Sequence, residues 1–138
     1  MSEFYQENRE GLQATADLIL ALSHPLLITT DGASDYGFDY VLKFEQIYIM
    51  TDHLLTEEAY QTLLELVKPL INDLHVQSIC TEITPSDWGS QYRCIEFKLA
   101  THHGLNTSLR YEETGKQHSG AVEEYQIDQF WFAVLKKY

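Results

Sequence analysis

The sequence predicts an α+β fold of two layers, a mainly antiparallel sheet with helices packed on one side. Three observations carry that expectation. Two stretches, near residues 3–22 and 56–74, repeat apolar residues at helical spacing. Runs of strand-like alternation follow one another within residues 38–51 and 76–113, as successive strands of an antiparallel sheet do. No repeat, low-complexity tract or Pro/Gly/Ser linker interrupts the 138 residues, so a single domain, 1–138, is expected.

The first helix is expected over Glu3 to Leu22, with Tyr5, Leu12, Ala16, Ile19 and Leu22 on one face. Pro25 disfavours helix at His24 and ends it. Leu26 to Thr30 reads as a short buried strand, and Asp31 to Gly37 as a loop rich in turn formers. Phe38, Tyr40, Leu42 and Phe44 alternate on one face. Ile47 and Ile49 continue with the parity shifted by one, which places a turn or bulge at Glu45-Gln46; a hairpin is the preferred reading.

Thr56 is the expected N-cap of a second helix, with Glu57 and Glu58 in the first turn, where the helix dipole favours them. Tyr60, Leu63, Val67, Leu70 and Leu74 form its buried stripe, widened by Leu64 and Ile71. Pro69 removes the amide that would bond back to Glu65, so a kink or break is expected there.

Strands follow over Val76–Ile83 and Gln91–Ala100, joined by the turn-like Thr84–Ser90. A hairpin centred on Asp87 sets Cys80 opposite Cys94 and leaves Ile79, Ile83, Ile95, Phe97 and Leu99 on the apolar parity. A further strand, Asn106–Glu113, alternates Thr107, Leu109 and Tyr111 against Ser108, Arg110 and Glu112, and Thr114–Gly120 reads as a loop. At the C-terminus Ile127, Trp131, Val134 and Tyr138 fit a helical face, with Lys136 and Lys137 at the end the dipole prefers. Phe130–Leu135 reads equally as a strand buried on both faces; helix is the preferred reading.

The charge bounds the function. Nine Lys+Arg stand against 21 Asp+Glu, a formal net charge of −12. A field of that sign repels phosphate backbones and anionic headgroups, so neither nucleic acid nor a membrane surface is an expected partner. No apolar stretch is long enough to span a bilayer, and Met1–Glu7 lacks the features of a signal peptide, which makes a cytoplasmic location the default. Residues 1–42 hold Arg9 and seven acids, Glu3, Glu7, Glu10, Asp17, Asp31, Asp35 and Asp39, and carry half of the total charge. Such a concentration attracts a basic protein and speeds the encounter.

Motifs of chemistry are absent. There is no GxGxxG, P-loop, GxSxG or CxxC pattern, and the histidines His24, His53, His75, His102, His103 and His118 fall at no zinc-site spacing. Asp31, Asp35 and Asp39 lack the ligand order of a calcium loop. No catalytic residue, metal ligand or cofactor is therefore assigned, and the two cysteines are expected to be reduced. Arg110 is expected to make cross-strand ion pairs with Glu112, Glu96 and Glu82 on the polar sheet face.

The leading expectation is a small acidic, non-enzymatic binding protein that covers a basic protein partner. In size and charge the chain resembles the acidic immunity proteins and inhibitors that neutralise bacterial toxins, commonly nucleases with basic clefts. It carries no motif of such a family, so no residue role is transferred. The expected contact residues are Asp31, Asp35, Tyr36, Asp39, Asp87 and Trp88, where acids stand beside aromatic anchors. An alternative is a small enzyme or ligand-binding module with a pocket between sheet and helices, lined by His102, His103, His118, Glu112 and the Tyr111 hydroxyl. A second alternative is a homo-oligomeric structural module with Phe130–Leu135 at the interface.

Overall fold

Helical spacing in the first twenty residues produces α1, Ser2–Leu22. Its inner face buries Tyr5, Leu12, Ala16 and Ile19, four of the five residues expected there, and Leu22 is half-buried. A computed structural model describes residues 2–22, 24–30, 38–85, 91–102, 105–113 and 123–137. Beyond α1 the elements are β1 (Leu26–Thr29), β2 (Tyr40–Phe44), β3 (Ile47–Thr51), α2 (Glu57–Asn72), β4 (Ser78–Pro85), β5 (Gln91–His102), β6 (Leu105–Glu112), β7 (Glu123–Gln126) and β8 (Trp131–Lys137).

Among the described residues eight strands form one antiparallel sheet in the order β2-β3-β1-β4-β5-β6-β8-β7. Both helices lie on the same side of it, as the α+β expectation required, and they share one apolar core with the strands. The core face of the sheet keeps one parity across its central strands, up to a bulge between Lys98 and Ala100 in β5. Ile28 pairs with Ile49 and Ile79, Ile79 with Phe97, and Phe97 with Leu109, all fully buried. Each such side chain contributes about 1.5–3 kcal/mol on leaving water. β1 pairs antiparallel with both β3 and β4, so those two run parallel to each other, and α2 is the crossover between them.

The parity shift at Glu45-Gln46 is a two-residue hairpin loop, with Phe44 opposite Ile47 and Glu45 in the left-handed region at φ 53. Thr56 caps α2, accepting from the Ala59 amide at 3.1 Å. Leu63, Leu64, Val67, Leu70 and Ile71 are buried as expected. The chain does not break at Pro69. That residue stands one turn from the end of α2, where its missing amide costs a single bond, and its carbonyl accepts from both Asp73 and Leu74.

Two expectations are corrected. The C-terminal segment is not a helix but the β7–β8 hairpin. Trp131, Phe132, Ala133 and Val134 are all buried, two on each side of the sheet, an environment that a single-faced helix cannot supply. β8 lies between β6 and β7, so these side chains are buried within the chain itself. The β4–β5 register also differs: β4 runs on through Thr84 and Pro85, which pairs with Gln91, and the hairpin centres one residue later than Asp87. Cys80 therefore faces Glu96, Cys94 faces Glu82, and both cysteines are thiols. The shift keeps Ile79, Ile95 and Phe97 on the core face, because both registers preserve parity.

Candidate functional site

The outer surface of α1 follows from its inner one. With Tyr5, Leu12, Ala16 and Ile19 turned inward, Glu3, Glu7, Glu10, Ala14 and Asp17 fall at steps of four, three, four and three on the opposite side, all exposed. Four carboxylates thus share one line of about 21 Å, at 1.5 Å per residue. Neighbours at such spacing repel by about 0.2–0.5 kcal/mol each, so the arrangement is mildly unfavourable for the isolated helix. Arg9 does not relieve it: its guanidinium is directed to Asp128, 3.7 Å away.

The line is held from beneath. The Trp131 indole NH donates to Gln13 Oε1 at 2.8 Å, and Gln13 Nε2 donates to Asp17 at 2.9 Å, which joins the core to the end of the acidic line. Near its start, the Tyr5 hydroxyl donates to Asp128 Oδ2 at 2.9 Å. Burial and this bond push the Tyr5 phenol up to about 12. Asp128 is held below the usual carboxylate range by the Gln129 amide, which donates to it at 2.8 Å, and by the Tyr5 hydroxyl.

The sign for Tyr5 is definite. Its folded-state pKa lies above the unfolded value of about 10, so its contribution is complete below pH 10 and is lost as pH rises from 10 towards 12. Tyr5→Phe should remove this part of the alkaline loss, read as a flatter urea midpoint against pH over that window.

The sheet face away from the helices holds a second feature. On β6, Ser108, Arg110 and Glu112 alternate with the core residues Leu109 and Tyr111, and all three are buried. Arg110 pairs directly across from Glu96. Its Nη1 donates to Glu124 Oε1 at 3.0 Å and lies 3.6 Å from Glu112, while Nη2 lies 3.8 Å from Glu96. Ser108 donates to Glu96 at 2.8 Å. Side-chain exposure is 6% for Arg110, 11% for Glu96, 1% for Glu112 and 7% for Glu124, so this is an interior ion group and not a wet surface pair. Two of the expected partners, Glu96 and Glu112, are confirmed, and the side chain of the third, Glu82, lies outside the described part of the structure; Glu124 comes from β7, whose place in the sheet no local pattern announced.

Of the six expected contact residues, Asp39 is exposed immediately before β2, beside Asp52 at the paired end of β3. Asp31, Asp35, Tyr36, Asp87 and Trp88 lie outside the described residues. At the same corner of the sheet the rings of His24 and His53 stack at 3.6 Å. Tyr111 and Glu112, named together for a pocket, are successive residues of β6 and point to opposite faces; His103 and His118 lie outside the described residues.

Among the described residues no group of three His, Cys, Asp or Glu side chains is placed to hold a metal ion, and no helix is long and apolar enough to cross a membrane. No family model, curated protein or solved structure matches the chain.

The acidic line on α1 went unrecognised in the sequence. Its signal was present, because the four acids keep the same 3–4 spacing as the buried stripe, offset to the other side of the helix.

Proposed function

We propose that the protein is a small acidic binding protein that covers a basic protein partner, with an immunity protein or inhibitor of a bacterial toxin as the concrete case. The observation that carries this reading is the line Glu3, Glu7, Glu10 and Asp17: four exposed carboxylates on one side of α1, with the nearby Arg9 directed elsewhere. Structural economy alone would interleave lysines at i+4 and gain a few tenths of a kcal/mol per pair. α2 adds exposed Glu57, Glu58 and Glu65 to the helix side of the molecule, and its one cation, Lys68, lies over the Phe44 ring at 4.1 Å. A surface of this kind steers a basic cleft onto itself. This reading places the protein in the cytoplasm.

The test begins with capture of the partner from the native host at low salt. The variant E3K/E7K/E10K/D17K is then compared with the wild type for affinity to the purified partner. A loss of about 10²-fold or more is expected, from removal of close charge pairs each of which couples by 1.5 kcal/mol or more. An unchanged affinity would sink the proposal. All four positions are exposed, so the variant should retain its unfolding midpoint within a few degrees.

A further inference from the structure

We infer that β2 is a pairing edge, at which an extended basic segment of the partner adds to the sheet as a further strand. The inference rests on the acidic-binder reading and specifies how such a partner would be held.

Among the described residues the sheet ends at β2 on one side and β7 on the other. The β7 edge is short and guarded: four residues, with Glu123 and Glu124 in sequence, the second tied to Arg110 and the first accepting from the Tyr125 hydroxyl. β2 is different. Its five residues, Tyr-Val-Leu-Lys-Phe, are strand formers in unbroken register with β3, without proline or bulge. Among the described residues no strand lies on its outer side. Tyr40 and Val41 are 41% and 55% exposed. The one residue that would ordinarily defend such an edge, Lys43, holds its ammonium 5.5 Å from the Tyr48 ring on the neighbouring inner strand.

Charge selects the occupant. Asp39 stands exposed at one end of the edge and Glu45 at the other, with Asp52 one strand further in, while the two nearby cations, Lys43 and Lys68, lie over the rings of Tyr48 and Phe44. An incoming strand with basic residues about six positions apart, a span of about 20 Å, would meet acids at both ends, while its backbone completes the ladder and an apolar side chain covers Val41. A second copy is less suited. In the antiparallel register that overlaps all five residues, Asp39 of each copy meets Glu45 of the other, and like charges opposite one another destabilise. Each copy also brings a net charge of −12.

The test uses a synthetic heptapeptide, Arg-Thr-Val-Thr-Val-Thr-Arg, and a control methylated on alternate backbone nitrogens. On saturation with the first, hydrogen exchange of outward-facing amides in Tyr40–Phe44 should slow by about tenfold or more. The methylated control and the protein variant Val41→Lys should each weaken binding by about tenfold, since the control lacks the ladder donors and the variant places a cation on the edge.

Three results would overturn the proposal. Binding that protects α1 instead of β2 and ignores methylation would refute the edge while leaving the acidic-binder reading standing. No binding of the peptide, with E3K/E7K/E10K/D17K still defective towards the captured partner, would do the same. Protection of β2 that rises with protein concentration without peptide, together with a dimer in sedimentation, would give the edge to a second copy.

Discussion

Replacing Arg110 with alanine should destabilise the fold by about 3–5 kcal/mol, because it removes the buried guanidinium that three buried carboxylates share. Glu96, Glu112 and Glu124 all lie within 4 Å of the guanidinium, and none has more than 11% of its side chain exposed. A surface ion pair removed in the same way would cost about 0–1 kcal/mol. The size of the loss therefore distinguishes an interior group from an exposed one, and urea unfolding measures it. Arg110→Lys should recover only part, since an ammonium cannot reproduce the fork that reaches Glu96 through one nitrogen and Glu112 and Glu124 through the other. A loss under about 1 kcal/mol for the alanine variant would mean that the group is solvated.

Trp131→Ala should cost a similar amount, about 3–5 kcal/mol. The residue is 1% exposed and its ring lies 5.3 Å from Tyr5, 5.6 Å from Phe97 and 5.2 Å from Tyr111, so it ties α1 to β5 and β6 from its own place on β8. Trp131→Phe keeps most of the apolar contact and removes the donor to Gln13, and should cost about 1–2 kcal/mol. Both values follow from equilibrium unfolding. Because Gln13 also holds Asp17, the phenylalanine variant should in addition weaken partner binding slightly through the end of the acidic line.

The parts of the fold that were legible in the sequence are those set by local periodicity and capping. α1 was legible from Tyr5, Leu12, Ala16 and Ile19, α2 from Thr56 and its stripe, and the β2–β3 hairpin from a single parity shift at Glu45-Gln46. The C-terminal hairpin was not, because Phe130–Leu135 is apolar at every position and such a run has no period to read. The β4–β5 register failed for a related reason: turn chemistry at Thr84-Pro85 marks a loop, yet pairing with β5 carries the strand through both residues. For the candidate site, the charge was legible as a quantity before it was legible as a place. The sequence favours Asp31, Asp35 and Asp39 over Glu3, Glu7, Glu10 and Asp17, because the former stand beside Tyr36 and Tyr40, which read as interface anchors. The Arg110 group was half legible, since Glu96 and Glu112 lie on its own strand or the next, whereas Glu124 reaches it only through the non-local order of β6, β8 and β7.

The most direct measurement of the acidic surface is the association rate constant with the captured basic partner, followed from about 50 to 500 mM salt for the wild type and for E3K/E7K/E10K/D17K. If the α1 line steers the encounter, the wild-type rate should fall by about ten- to a hundredfold across that range. The variant should start slower and change little. Equal rates for the two proteins, or parallel salt slopes, would contradict a binding role for this face of α1.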